Sequence, residues 1–209
     1  MSRRFSALAL CGALVLVQAC GETGAVLGQI AEEGELVVLT RNAPTTWYIG
    51  RDGAEGFEHD LTQAFAEALG VGVRYEIRDT IEEVLAGLLA GDGHLAAAGL
   101  TRTEGREGFR FGPDYYRVQQ QVVCHREGPV PTGPAELAGV SLLTISGSSY
   151  VERLTELRAE HPELTWEVTD ELSTEQVLER VWQREADCAV ADSNIVAINR
   201  RYYPELVVA

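Results

Sequence analysis

An alternation of short apolar segments with amphipathic segments of about 10 to 13 residues constrains the fold of this chain more than any other feature. ELVVLT (35–40) has the composition of a buried strand, and residues 57–70 have helical spacing that ends at Gly70, a typical C-cap. The apolar residues that give this spacing are Leu61, Ala64, Phe65, Ala68 and Leu69. The first half continues with a strand over 71–77, a helix over 80–92 capped by Asp79 or Thr80, and a short strand over 94–100. Strands that alternate with helices form a parallel sheet through right-handed crossovers, so the sequence predicts an α/β fold.

The same alternation resumes in the second half of the chain, after a turn-rich segment over 128–134. Residues 115–127 have the pattern of one long extended segment that joins the two halves. The later strands are expected over 140–145, 165–170, 186–192 and 205–209, and the later helices over 148–162, 173–185 and 193–202. We therefore expect two lobes, residues 35–127 with the connecting strand and residues 128–209. A cleft between two lobes suits a small molecule and closes by a hinge motion.

Residues 1–19 have the pattern of an export signal and are not expected to be part of the fold. A short basic start precedes an apolar run over 5–17, which is too short to span a bilayer. The run leads to VQAC, which resembles a bacterial lipoprotein signal whose Cys20 is acylated; an ordinary secretory signal cut near Ala19 is the alternative. No aspartate follows Cys20, which favours the outer membrane facing the periplasm, and residues 20–34 are expected to be a tether.

The chain is strongly acidic, with a formal net charge of −15. Removal of residues 1–19 takes away two arginines and leaves −17. A charge of this sign argues against a nucleic-acid partner and against binding of anionic lipid by side chains. Contact with a membrane is therefore expected only through the lipid anchor at Cys20.

The cysteines and histidines give no sign of a metal site or a cofactor. The four histidines are scattered without metal-ligand spacing: His59, His94, His125 and His161. Cys124 and Cys188 lie 64 residues apart on different predicted strands, and we expect two buried thiols. Export would also permit a disulfide between them.

A cluster of arginines in residues 98–116 contrasts with the acidic character of the chain. Arg102, Arg106 and Arg110 recur every four residues among glycines and aromatic residues. One interpretation is that an arginine of this cluster binds an anion. The other is that the three arginines form a solvated helical face that balances nearby glutamates.

Three segments carry a resemblance to a known family. Residues 56–70, 96–116 and 186–198 resemble the bacterial solute-binding proteins of family 3, which bind polar amino acids. The second half, from SGSSYVER onward, is most similar to the N-terminal domain of the membrane-bound lytic murein transglycosylases F. The resemblance implies a two-lobed fold like that of periplasmic binding proteins, in which each lobe is a mainly parallel sheet with flanking helices.

The resemblance also implies which residues contact the ligand. In the family, an arginine at the position of Arg106 forms a two-pronged salt bridge with the α-carboxylate of the ligand, a geometry that suits a planar guanidinium. Gly99 and Thr101 match neighbours that offer backbone and hydroxyl contacts, and Asp192 matches the carboxylate that receives the ammonium group. Asp192 has capping of the helix from Ser193 as its alternative role.

Serines and aromatic residues complete the predicted site. Ser148 and Ser149 lie at a strand-to-helix junction, where they either receive a carboxylate or simply cap the helix. Trp47 or Tyr48 is expected to stack on a ligand side chain. Glu58 and Asp60 match a family signature and are expected to be structural.

Two departures from the amino-acid binders bear on the ligand. Arg41 stands near a position where many members carry an acid, and Asp79–Thr80 replaces a second aromatic wall. The expected ligand is therefore a small amino acid or a cell-wall peptide of muropeptide type.

The residues of this chain contain no recognisable catalytic group, and none is assigned. A lytic transglycosylase needs a catalytic glutamate in a lysozyme-like helical domain, which in the resembled proteins follows the binding domain. The chain ends at Ala209, before the expected return to the first lobe, so it is expected to be a fragment or a truncated product. The resemblance thus implies a regulatory part of a peptidoglycan lyase that contacts peptidoglycan through the missing domain. A free amino-acid-binding protein of an ABC importer is the alternative.

Overall fold

The computed structural model describes residues 23–209, and the predicted signal peptide and Cys20 lie outside the described residues. The first lobe is built on a three-stranded parallel sheet, ordered β4-β1-β5. Its strands are β1 (Glu35–Thr40), β4 (Gly72–Ile77) and β5 (Leu95–Ala96), with a small hairpin of β2 (Tyr48–Ile49) and β3 (Ala54–Glu55). Its helices are α1 (Thr23–Glu33), α2 (Phe57–Leu69) and α3 (Ile81–Ala90). Among residues 23–209, no helix has the length and apolar character needed to cross a membrane.

The ends of the first-lobe helices are determined by local chemistry. The Thr80 side chain accepts a hydrogen bond from the Glu83 backbone N–H, which resolves the choice between Asp79 and Thr80 as the cap of α3. Gly70 ends α2 in the left-handed conformation, with φ of 72°, which glycine adopts without steric cost. Both helix ends therefore lie where the sequence predicts them.

The second lobe contains a five-stranded sheet, ordered β10-β6-β9-β7-β8. Its strands are β6 (Gln120–His125), β7 (Leu142–Ile145), β8 (Glu167–Thr169), β9 (Cys188–Asp192) and β10 (Leu206–Val208). The flanking helices are α4 (Ser149–Leu157), α5 (Thr174–Trp182) and α6 (Ser193–Asn199). Strand β7 pairs in parallel with β8 and β9, whereas β6 is antiparallel to β9 and β10, so this sheet is mixed. The predicted connecting segment 115–127 thus contributes β6 to the second sheet.

The apolar core is concentrated in the second lobe and extends into the first. Buried side chains of β6, β7, β9 and α5 pack together there, and Ile81 of α3 joins the same cluster. Leu85 and Leu100, also from the first lobe, pack against it. The two lobes therefore share apolar contacts along one side of the cleft.

Helix α2 does not bury the apolar residues whose spacing predicts it. Its buried positions are Glu58, Thr62 and Ala66, whereas Leu61 and Phe65 are exposed. The Thr62 hydroxyl bonds Tyr75 of β4, and the Glu58 carboxylate bonds the backbone N–H of Gly99, so polar contacts orient this helix. The spacing of apolar residues therefore predicted that α2 is a helix. Which face of α2 packs against the sheet depends on the hydrogen bonds to Tyr75 and Gly99.

Part of the predicted tether is helical. From Thr23 onward, residues 23–33 form α1, and Ile30 is buried against Leu36 and Val38 of β1. The segment therefore packs on the first sheet, and the prediction of a tether missed this helix.

The expectation of two free thiols is wrong, because Cys124 and Cys188 form a disulfide. The two residues occupy opposite positions on the adjacent antiparallel strands β6 and β9. Their separation of 64 residues in sequence hid a proximity that is created only when β6 enters the second sheet beside β9.

Candidate functional site

The candidate site lies where the carboxyl ends of parallel strands from both lobes meet. In the first sheet, β1 is central and the chain turns to β4 on one side and to β5 on the other. In the second sheet, β7 lies between β8 and β9 in the same way. Such switches of strand order leave a crevice at the carboxyl ends of the strands, where α/β proteins bind ligands. Arg41, the loop after β5, the turn after β7 and Asp192 lie at these carboxyl ends of the strands.

Hydrogen bonds join the two lobes across this crevice. Arg106 Nη2 donates to the Gly147 carbonyl at 2.8 Å, and Thr103 Oγ1 donates to Glu152 Oε1 at 3.0 Å. The Ser146 hydroxyl also bonds the Glu82 carboxylate of α3. The loops that carry the predicted ligand contacts therefore face each other in a closed arrangement.

Arg106 is a buried cation, with only 4% of its surface exposed. Its Nη1 donates to the Thr101 carbonyl at 2.7 Å, so the guanidinium links Thr101 to Gly147 of the opposite lobe. Burial lowers the pKa of Arg106, and the nearby carboxylates of Glu152 and Glu82 act in the opposite sense. This burial is incompatible with a solvated face for Arg106. Arg102 and Arg110, in contrast, are exposed.

A groove of about 720 Å³ opens between the loop after β5 and helix α4. Thr101, Arg106 and Ser149, all predicted ligand contacts, line this groove together with Gln120 and Glu152. Asp192, Trp47 and Tyr48 are not among its lining residues. The structure therefore brings three of the predicted residues to one opening.

Asp192 is the last residue of β9, and its carboxylate has few hydrogen-bond partners among residues 23–209. The residue is 8% exposed, and its Oδ1 has no hydrogen-bond partner among residues 23–209. Although Asp192 holds the N-cap position of α6, its side chain makes no capping hydrogen bond. Burial raises its pKa to about 6, while the Tyr150 hydroxyl acts in the opposite sense. Helix capping therefore does not explain this acid.

The serines before α4 also do not act as ordinary side-chain caps. Ser148 holds the N-cap position without a side-chain capping bond, and its hydroxyl donates to the Ile145 carbonyl at 2.7 Å. Ser149 Oγ accepts from Gln120 Nε2 at 2.9 Å. The backbone N–H groups of the first turn of α4 are therefore not satisfied by these hydroxyls.

The backbone N–H of Gly99 is already hydrogen-bonded to a protein side chain. It donates to both carboxylate oxygens of Glu58, at 3.1 and 3.0 Å, and the Tyr115 hydroxyl bonds the same carboxylate. Burial raises the pKa of Glu58, although these hydrogen bonds and Arg41 act in the opposite sense. Glu58 thus ties α2 to the loop after β5, as expected for a structural acid, whereas Asp60 is exposed.

The two aromatic candidates have different surroundings. The Tyr48 hydroxyl donates to Glu55 across the β2–β3 hairpin at 2.8 Å. The indole of Trp47 lies near the Tyr75 ring, and its buried Nε1 has no partner within residues 23–209. Of the two, Trp47 retains an unused hydrogen-bond donor.

Sequence reasoning missed three residues that shape the crevice. Arg41 was noted only as a departure from a pattern, yet it directly follows β1 at the switch point. Gln120 and Tyr150 contact Ser149 and the backbone N–H of Asp192, respectively. The end of a buried strand is a signal for Arg41, whereas nothing in the sequence distinguishes Gln120 or Tyr150.

Comparisons with known proteins identify a family and several relatives. The model of the bacterial extracellular solute-binding proteins, family 3, matches residues 36–177. Membrane-bound lytic murein transglycosylase F of Maricaulis maris is 43% identical over 185 residues, which are 88% of this chain and 41% of the relative. The protein of the same name from Ectopseudomonas mendocina is 39% identical over 202 residues, 95% of this chain and 41% of the relative. The chain thus spans about two fifths of the length of these relatives.

Solved structures show the same two-lobed fold. The arginine-bound form of truncated ArgBP from T. maritima superposes with a TM-score of 0.74 at 20% identity, covering 87% of this chain and 84% of that chain. The substrate-binding protein AbpA of an amino acid ABC transporter from Streptococcus pneumoniae, bound to L-arginine, gives a TM-score of 0.76 at 20% identity. That match covers 87% of this chain and 77% of the other. At this identity the likeness concerns the fold alone.

Proposed function

The chain belongs to the bacterial extracellular solute-binding proteins of family 3, and we propose that it holds a small amino acid or muropeptide-like ligand in the crevice between its lobes. The ligand is zwitterionic: its carboxylate bonds the Arg106 guanidinium and its ammonium group bonds the Asp192 carboxylate. Thr101, Ser148 and Ser149 add polar contacts, and Trp47 supplies the aromatic wall. Gly99 contributes only after its N–H is released from Glu58.

One observation carries this proposal: Asp192, at the carboxyl end of β9, is buried, and one oxygen of its carboxylate has no partner among residues 23–209. An ionised group is costly to bury without a partner, and an ammonium group from a ligand would offset that cost. The first turn of α4, whose N–H groups lack a side-chain cap, supports binding of the carboxylate at the same edge.

The wider role that we propose is regulation of peptidoglycan cleavage. The relatives named as lytic murein transglycosylases F extend well beyond the matched part, so the cleaving activity would belong to a longer protein that contacts peptidoglycan. The alternative, a binding protein of an ABC importer, is favoured by the fold neighbour that serves an amino acid transporter. A full-length product with a lysozyme-like domain and its catalytic glutamate would support regulation.

The family and the membrane-bound relatives indicate a place in the cell envelope. More specifically, we propose residues 1–19 as a signal peptide and Cys20 as the lipid-bearing residue of an outer-membrane lipoprotein. We propose a division into two lobes, residues 35–127 with the connecting strand and residues 128–209. The connecting strand contains β6, which pairs in the second sheet.

Calorimetric titration with amino acids and murein peptides tests the binding role. We expect Arg106→Gln and Asp192→Asn each to weaken the best ligand by about 30-fold or more, because each leaves a charged ligand group unpaired. Arg200→Gln, at an exposed arginine that does not line the groove, should change the affinity by less than about twofold. Circular dichroism verifies folding of each variant. Unchanged affinity in both folded site variants would falsify the proposal.

A further inference from the structure

Arg41 is a cation at the switch point of the first sheet. It follows the last residue of β1, and its backbone carbonyl accepts a hydrogen bond from Thr46 Oγ1 at 2.6 Å. The residue is partly buried. Within residues 23–209, its guanidinium makes neither a hydrogen bond nor an ion pair. A half-buried guanidinium in this state is unusual because desolvation penalises the charged form.

The groups that act electrostatically on Arg41 come from both lobes. Glu175 and Tyr150 act on it electrostatically from the second lobe, and Glu58 and Glu82 from the first. Two of these acids are bonded elsewhere, Glu58 to Gly99 and Glu82 to Ser146. The surrounding acids thus stabilise the positive charge of Arg41 electrostatically. The N–H groups of its guanidinium make no hydrogen bond within residues 23–209.

Tyr150 connects Arg41 to the proposed ammonium site. Its hydroxyl accepts the backbone N–H of Asp192 at 3.1 Å. The same phenol is within electrostatic range of both Asp192 and Arg41. Arg41 follows the carboxyl end of β1 and Asp192 is the last residue of β9, so both charges lie at the strand ends where α/β proteins bind ligands.

We propose that Arg41 is a second anion-binding group of the site, an inference that rests on the proposed function. The ligand then carries a carboxylate in addition to the one assigned to Arg106. The ligand class is an acidic amino acid or a short peptide with a free second carboxylate. A carboxylate matches the planar fork of a guanidinium. A neutral ligand would leave Arg41 unpaired, and a cationic side chain would be repelled by it.

Matched pairs of ligands test this specificity by calorimetric titration. The probes are L-glutamate against L-glutamine and alanyl-glutamate against alanyl-glutamine, which differ only by carboxylate or carboxamide. We expect the native chain to bind the acid of at least one pair about tenfold more tightly than its amide. Arg41→Gln should reduce this preference to within about twofold by weakening the acid alone, and Arg41→Glu should favour L-lysine over L-glutamate.

Arg78 offers a matched control, because it follows β4 just as Arg41 follows β1. Its guanidinium is already paired with Glu76 and Asp92, so Arg78→Gln should leave the acid preference unchanged. Thermal melting verifies that all variants fold.

The outcomes separate this inference from the binding role itself. If Arg41→Gln keeps the acid preference, or if the native chain prefers the amides, Arg41 is not an anion-binding group. A continued dependence of binding on Arg106 and Asp192 would then leave the proposed function intact. Failure of all four probes to bind would count against both.

Discussion

Asp192 illustrates how one side chain links stability to binding. Its carboxylate lies at the end of a fully buried strand, and one of its oxygens is unsatisfied within the described part of the chain. Asp192 is the last residue of β9, which pairs with both β6 and β7. The residue therefore keeps a destabilising charge at a position where a ligand can neutralise it.

Asp192→Asn should stabilise the ligand-free protein at neutral pH. The pKa of Asp192 is about 6 in the folded chain and 3.8 for an unperturbed aspartate. The folded state thus binds the extra proton, and the free energy of unfolding falls as pH rises from about 4 to about 6. We expect the variant to be more stable than the native chain by about 1–3 kcal/mol at pH 7.5, with little difference at pH 4.

Urea denaturation at the two pH values measures this difference. Asp170→Asn, at an exposed acid, serves as control and should show no such pH-dependent gain. A native chain as stable as Asp192→Asn at pH 7.5 would mean that Asp192 is not a strained charge.

At the scale of elements, α2 shows that the spacing of apolar residues along a helix does not by itself decide which face of the helix is buried. The helix buries Glu58 and Thr62, which bond Gly99 and Tyr75, together with Ala66, while Leu61, Phe65 and Leu69 remain at the surface. Amphipathic spacing normally indicates the buried face. Here two polar contacts with partners far along the chain determined which face packs.

Substitutions on the two faces of α2 should differ in their effect on stability. Phe65→Ser, on the exposed face, should change the free energy of unfolding by less than about 1 kcal/mol. Ala66→Leu should destabilise by about 1–3 kcal/mol, because the side chain enters a packed space beside β1. Chemical denaturation of both variants decides the orientation, and a larger loss in Phe65→Ser would contradict it.

At the scale of the whole molecule, the second lobe is closed by a covalent link. The Cys124–Cys188 disulfide joins β6, which arrives from the first lobe, to β9, which carries Asp192 to the crevice. A disulfide stabilises mainly by restricting the unfolded chain, and more so for longer loops. This link spans 64 residues and encloses β7, β8, α4 and α5.

Loss of the disulfide should destabilise the second lobe substantially. We expect the Cys124→Ala, Cys188→Ala double variant to lose about 2–4 kcal/mol. Reductant should lower the melting temperature of the native chain and leave that of the double variant unchanged. Differential scanning calorimetry with and without reductant makes the measurement, and an insensitive native chain would contradict the assignment.

The sequence by itself determined the α/β class, the end of α2 at Gly70 and the order of the strands and helices apart from α1 and the β2–β3 hairpin, because these depend on residues close together in the chain. It narrowed the cap of α3 to Asp79 or Thr80. The resemblance in its motifs also identified the family. Only the tertiary structure decided that Cys124 meets Cys188, that Glu58 accepts the N–H of Gly99, and that the Arg41 guanidinium has no hydrogen-bond partner within residues 23–209. Each of these depends on groups brought together across tens of residues by strand order and helix orientation, which local composition does not encode.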